Sequence, residues 1–313
     1  MKLSINNQKI IGELAPVIIF TYNRLSHLQQ TLDALAKNKN AKYSEIFIFS
    51  DGYKNERDRQ SVIEVREYLK SFEETQNFKN VTVFFNEKNK GLANNIINGV
   101  TEIIRKYSKV IVIEDDVVTS EDFLSFMNDS LNYYKDDETV WSIGGYTHPM
   151  QWNFDYDKDV FAIQRCSSYC WGTWENRWNK IDWNITDYNQ FKFNFVKRYK
   201  FNRPGNDMAA MLDSQMKGLI NSWAIRFDYN MWKHGMVNVL PVISKANNIG
   251  HDGSGTHANV DLSDCDKFFS NITSHKYILE KIDLDKRIVA EYRKIFHCSL
   301  YSLVKSFIKI YFS

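Results

Sequence analysis

Val110-Ile111-Val112-Ile113-Glu114-Asp115-Asp116 decides how the fold is read: four β-branched apolar residues run directly into three acids. An unbroken apolar run of this length reads as a strand buried on both faces, the mark of a parallel sheet covered by helices. Three similar units precede it. Val17-Ile18-Ile19-Phe20-Thr21 is followed by Leu25, Leu28, Leu32 and Leu35 at helical spacing, and Ile46-Phe47-Ile48-Phe49 by Val62, Val65, Leu69 and Phe72. Val81-Thr82-Val83-Phe84-Phe85 then leads to Ile97, Val100, Ile104 and Tyr107. This alternation predicts an α/β, Rossmann-like, mostly parallel sheet flanked by helices and linked by right-handed crossovers.

Sheets of that kind bind ligands at the carboxyl ends of their strands. The four predicted ends carry Thr21-Tyr22-Asn23-Arg24, Ser50-Asp51-Gly52, Asn86 to Leu92, and Glu114-Asp115-Asp116. No Gly-rich phosphate loop follows the first strand, which counts against nicotinamide enzymes and P-loop NTPases. Consecutive acids after a buried strand repel one another unless a cation or hydrogen-bond donors occupy the site. Hard carboxylate oxygens suit Mn²⁺ or Mg²⁺, which can take further ligands from a diphosphate and water. The other reading is a solvated acidic turn ahead of a helix beginning near Ser120-Glu121-Asp122. Tyr22 and Asn23 are open between ligand contacts and a wall residue with a helix N-cap. Gly91, in the Asn89-Lys90-Gly91-Leu92 turn, is read as a positive-φ position.

Composition narrows the class. The 313 residues are 43% hydrophobic, 15% aromatic and 25% charged, which excludes a mainly disordered chain. Forty Lys and Arg against 38 Asp and Glu leave a net charge of +2, so no bulk field gathers nucleic acid. Cys166, Cys170, Cys265 and Cys298 fit neither a disulfide framework nor paired zinc-site spacing. The first twenty residues lack a signal-peptide layout, and no run approaches the roughly 18 apolar residues of a membrane span. A cytoplasmic protein is the expectation.

Taken together, APVIIFTYNR (15–24), FSDG (49–52), NKGLANNIINGV (89–100), VIEDD (112–116), GGYTHP (144–149), CWGTWENRW (170–178), SWAIRF (222–227) and NIGHDGSGTH (248–257) form a pattern. It resembles that of GT-A fold glycosyltransferases, in particular the family 2-like bacterial sugar transferases and the N-acetylglucosaminyltransferase I group. The resemblance implies a nucleotide-sugar-binding half over 1–140, an acceptor and catalytic half over 141–272, and a helical tail over 273–313. It implies that Asp116 coordinates the Mn²⁺ or Mg²⁺ bridging the donor diphosphate, that Asp115 faces the ribose and that Glu114 lies near the transferred sugar. Asp51 is then the acid at the uracil edge, and Arg24 the base or diphosphate contact. Thr21, Tyr22, Asn23, Lys90 and Asn94 complete the expected donor contacts, and His251, backed by His257, reaches the diphosphate from a closing loop.

All eight tryptophans lie between Trp141 and Trp232. Flat aromatic faces suit sugar rings, so an acceptor groove is one account, with Trp223 as a site wall. Trp171, Trp174 and Trp178, spaced three and four apart, read instead as a buried helical stripe. An inverting transfer needs a carboxylate base. Where relatives place an acid before the Ser-Trp pair this chain has Asn221, leaving Asp207 first and Asp228 second, ahead of Asp213. From Lys286 onward, Ile288, Val289, Tyr292, Ile295, Phe296, Leu300, Leu303, Val304, Phe307, Ile308 and Tyr311 recur at helical spacing among basic residues. That tail is either an interfacial helix on anionic lipid or a helix packed on the domain. The expected activity is inverting transfer from a nucleotide sugar, a UDP-sugar by resemblance, to a glycan or lipid-linked glycan in surface polysaccharide or lipopolysaccharide synthesis. A sugar nucleotidyltransferase and a non-catalytic carbohydrate-binding protein are the alternatives.

Overall fold

The computed structural model describes residues 14–74, 76–250, 276–299 and 301. His251 and His257, and the apolar positions Leu300, Leu303, Val304, Phe307, Ile308 and Tyr311 of the tail, lie outside the described residues. The chain order begins β1 (Val17–Thr21), α1 (Leu25–Ala36), β2 (Glu45–Ser50), α2 (Glu56–Phe72), β3 (Asn80–Phe85), α3 (Leu92–Tyr107), β4 (Lys109–Glu114) and β5 (Val117–Thr119). It continues α4 (Phe123–Tyr133), β6 (Val140–Gly144), β7 (Val160–Ile163), β8 (Cys170–Trp174), α5 (Glu175–Trp178), α6 (Tyr188–Lys192), α7 (Phe195–Phe201) and α8 (Met208–Met216). Then come α9 (Trp223–Lys233), β9 (Val237–Pro241), β10 (Ala246–Asn248) and α10 (Lys286–Ile295).

Eight strands form one sheet in the order β3-β2-β1-β4-β8-β6-β9-β7. The pairs β3–β2, β2–β1 and β1–β4 are parallel, and β8 turns antiparallel against both β4 and β6. The alternation expected over 17–113 is therefore present, and both faces are covered. Val17 and Ile19 of β1 join Leu28, Leu32, Leu35, Val65 and Leu69 on one side. Ile18 and Phe20 join Ile96, Val100, Ile103 and Ile104 of α3 on the other. The buried stripe of α3 includes Ile96 and Ile103, while Ile97 and Tyr107 pack only at its edge. Gly91, with φ 71°, precedes α3 in the left-handed region.

Parallel register brings the strand ends level. Thr21 lies opposite Ser50, Ser50 opposite Phe85, and Phe20 opposite Glu114. A small ribbon completes that edge: β10 pairs antiparallel with β5, setting Asn248 opposite Val117 directly after the acids.

Two expectations for the aromatic half are corrected. Trp171 and Trp174 are strand residues of β8 and Trp178 belongs to the short α5, so the three are buried without forming a helical stripe. Trp223 is 3% exposed and stacks on Trp171 with centroids 4.8 Å apart, so it is core rather than a site wall. In the tail, α10 packs Ile288 and Tyr292 onto Phe161 and Leu240, which makes this stretch a docked helix. Among the described residues no helix is long and apolar enough to cross a membrane.

Candidate functional site

The three acids lie where β4 ends, and Arg24, where the β1 segment enters α1, reaches across to them. Its Nη2 donates to Asp115 Oδ1 at 2.6 Å and to Asp116 Oδ2 at 2.9 Å. Asp115 Oδ2 also accepts from Thr21 Oγ1 at 2.9 Å and from the Tyr22 amide at 3.3 Å. Asp116 Oδ1 accepts from Asn248 Nδ2 at 3.2 Å, and its carbonyl accepts from the Ile249 amide at 2.8 Å. The acidic stretch is thus a buried, donor-lined corner, with Asp115 and Asp116 4% and 7% exposed, and the solvated-turn reading falls.

Charge at this corner is out of balance. Burial raises the Glu114 carboxyl well above the ordinary carboxylate range, and Asp116 and Asp115 push it further against the pull of Arg24. Burial raises Asp115 too, with Arg24 offsetting part of the effect. Burial opposes the Arg24 charge, but Asp115 and Asp116 outweigh it and raise its pKa. One guanidinium faces three carboxyls, and the donor set is all oxygen. That surplus of hard oxygen donors fits a divalent cation, with Asp116 and Asp115 as the residues able to hold it. Among the described residues no three His, Cys, Asp or Glu side chains form a metal cage of their own.

The remaining donor-side residues divide. Asp51, 5% exposed, accepts from the Lys90 and Gly91 amides, both at 3.0 Å, and from Asn86 Nδ2 at 3.2 Å. Its carboxylate therefore fastens the turn before α3. Lys90 takes part through its backbone, and Asn94 Nδ2 caps the Lys90 carbonyl at 3.0 Å. Tyr22 OH donates to Asp58 at 2.7 Å and accepts from the Lys54 amide at 2.8 Å, and burial with the Asp58 bond pushes it up to about 12. Asn23 does not cap α1; Arg24 holds the N-cap position.

The two base candidates sit in different surroundings. Asp207 is bound side-on by Arg165, both N···O distances being 2.8 Å, so its lone pairs are engaged by a permanent cation. Asp213 is held in the same way by Arg198, at 2.8 and 2.7 Å. Asn221 is exposed and accepts from Arg226 at 3.1 Å. Asp228, on α9, is 5% exposed and accepts one hydrogen bond, from the Cys166 amide at 2.7 Å. Burial raises its carboxyl from 3.8 to about 7, with Arg165 and the Cys166 amide holding it from going higher. It lines a cavity of ≈ 160 Å³ together with Arg165, Cys166, Ser168, Tyr169 and Phe296. The Tyr169 carbonyl accepts from the Glu114 amide at 3.1 Å, which joins the cavity wall to the acidic strand end.

Sequence reasoning missed Arg165 and Asn248 as partners of these acids. Each acts from more than 40 positions away in the chain, at Asp207 and Asp116 respectively, so no local spacing announces it.

The family model for glycosyl transferase family 2 matches residues 17–211. The chain belongs to glycosyl transferase family 2. Comparison with curated protein sequences gives no match. Among solved structures, this family 2 chain is similar to the mannosyltransferase PcManGT of Pyrobaculum calidifontis, solved with GDP-Man and Mn²⁺. That match has 14% identity and a TM-score of 0.35, over 52% of this chain and 44% of that one. It is also similar to residues 1-349 of S. aureus TarS, with 11% identity and a TM-score of 0.43, over 76% of this chain and 61% of that one. The same TarS fragment with UDP-GlcNAc matches at 13% identity and a TM-score of 0.40, over 74% and 57%. In each case less than two thirds of the other chain is spanned. Asp228 lies beyond the family-matched segment, which ends at Met211.

Proposed function

We propose that the protein is a metal-dependent, inverting glycosyltransferase that moves a sugar from a nucleotide sugar, a UDP-sugar, to a glycan or lipid-linked glycan acceptor in surface polysaccharide synthesis. The observation that carries this reading is the convergence of Glu114, Asp115, Asp116 and Arg24 at the strand ends of a family 2 chain. Asp116 would hold Mn²⁺ or Mg²⁺, which would supply charge neutralisation for the departing nucleoside diphosphate. Arg24, released from bridging the two carboxylates, contacts the diphosphate. Asp115 and Thr21 face the ribose, and Glu114, at the end of β4, lies near the transferred sugar. Asp51, by fixing the turn at Lys90 and Gly91, shapes the floor beneath the base.

The acceptor hydroxyl enters the cavity beside Asp228, whose carboxylate takes the hydroxyl proton as the oxygen attacks the anomeric carbon and the C–O bond to the diphosphate breaks. An acid with a pKa near 7 suits that task at neutral pH; one clamped by Arg165 does not. The PcManGT and TarS complexes contain GDP-Man and UDP-GlcNAc, which supports a nucleotide sugar as the ligand class.

The test is release of nucleoside diphosphate from UDP-, GDP- and CMP-sugars with and without Mn²⁺ or Mg²⁺, comparing the wild type with Asp116→Ala. Metal-dependent release from one donor, lost in Asp116→Ala, is expected. Release of pyrophosphate from a nucleoside triphosphate and a sugar phosphate would identify a nucleotidyltransferase instead. Absence of any turnover and of any metal-dependent donor binding would refute the transferase reading.

A further inference from the structure

A surface on α7 and the turn before it has no part in the transfer site. α7 is anchored along one side. Phe201 is buried, with ring contacts to Phe191, Tyr229 and Trp232, and Arg198 grips Asp213. The other side leaves Phe195 84%, Val196 64% and Tyr199 63% exposed, with Phe193 alongside at 69%. Positions 195, 196 and 199 share one helical face. A contiguous group of large apolar side chains held open on a fastened helix marks an interaction surface rather than incidental exposure.

The segment that carries the group is basic, with Arg198 paired to Asp213 outside it. Between Asp187 and Asp207 the chain carries Lys192, Lys197, Arg198, Lys200 and Arg203 and no acid, although its overall charge is only +2. Lys200 and Arg203 are themselves exposed. Protein interfaces deplete lysine around their aromatic anchors. Aromatic residues set among lysine and arginine match instead a boundary where anionic headgroups overlie acyl chains.

We propose that this face docks on an anionic phospholipid bilayer. Phe195, Val196 and Tyr199 enter the boundary between headgroups and acyl chains, and Lys197, Lys200 and Arg203 engage lipid phosphates. This is a site on the body of the domain, distinct from the carboxyl-terminal tail. It uses no residue of the transfer site, so it stands or falls apart from the assigned activity.

The full chain is to be sedimented with phosphatidylcholine vesicles and with vesicles enriched in phosphatidylglycerol, at low and high salt. Wild type is expected to bind only the anionic vesicles and to be released by salt. Phe195→Ser with Tyr199→Ser, and separately Lys197→Glu with Lys200→Glu, are expected to weaken binding about tenfold or more. Their thermal melting and their nucleoside diphosphate release in solution should match wild type. Wild type that ignores anionic vesicles, or variants that bind them as wild type does, would overturn the proposal. So would a wild-type dimer in light scattering that both variants abolish without any vesicle binding, since a second copy would then be the occupant.

Discussion

Replacing Asp228 by Asn tests the catalytic assignment and the electrostatics of the site together. The Asp228 carboxyl is raised by burial from 3.8 to about 7. As the base it must be ionised, so with this pKa about a tenth of the enzyme is competent at pH 6 and about nine tenths at pH 8. Wild-type kcat/KM should therefore climb about tenfold between pH 6 and pH 8 and then level off. Asp228→Asn removes the proton acceptor and should lower kcat by about 10² to 10⁴, with the pH dependence lost from whatever rate remains. Stability should move the opposite way. A carboxyl whose folded pKa lies above its unfolded value favours the fold when protonated, so its contribution falls as pH rises from near 3.8 through about 7. At about 1.4 kcal/mol per pH unit, that interval amounts to as much as roughly 4 kcal/mol of destabilisation above pH 7. Asn carries no such charge. Asp228→Asn should accordingly melt several degrees above wild type at pH 8, with the difference closing toward pH 5. The assays are nucleoside diphosphate release across pH with the identified donor and acceptor, and thermal melts in the same buffers. A variant with more than about a tenth of wild-type kcat at pH 8 would refute Asp228 as the base. Equal melting at both pH values would refute the burial argument.

Three other substitutions probe the surroundings. Arg24→Ala removes the guanidinium that bridges Asp115 and Asp116 and should cost about 2–4 kcal/mol in urea unfolding at neutral pH, with Mn²⁺ raising the variant's midpoint more than wild type's. Gly250→Ala drives a methyl group into the Asp116 carboxylate and to within 2.9 Å of Arg24 Nη1, so metal-dependent turnover should fall by about 10² while far-UV circular dichroism is unchanged. Trp223→Ala opens the stack on Trp171 and should cost about 3–5 kcal/mol in the same unfolding assay; a raised KM at unaltered stability would instead restore Trp223 to an acceptor wall.

What was legible in the sequence follows from range. The four parallel strands and their helices announce themselves because apolar runs and helical spacing are local, and the strand ends lie level because the parallel register pairs Thr21 with Ser50, Ser50 with Phe85 and Phe20 with Glu114. The acidic corner was found for the same reason. Trp223 was misjudged because indole suits a sugar face and a core equally, and only its stacking on Trp171 decides between them. Asp207 outranked Asp228 because nothing near position 207 reveals Arg165, 42 residues earlier. Asp228 looked ordinary because its pKa comes from being enclosed, a property carried by no neighbour in sequence. The buried Lys245–Asp122 pair, 2.7 Å apart and bridging 123 positions, was invisible likewise.

The β5–β10 ribbon bears on how this enzyme can be divided. The family-matched segment closes at Met211, yet Asn248 and Ile249, from the far side of that boundary, complete the hydrogen bonding of Asp116. β9, also beyond it, sits between β6 and β7 in the sheet. A chain cut after Met211 would keep Glu114, Asp115 and Asp116 while losing Asp228, the strand between β6 and β7, and the clasp on Asp116. Swapping segments between relatives at that boundary would therefore separate the three acids from the residues that hold their shape. A workable graft has to carry residues 237–250 along with the acids they secure.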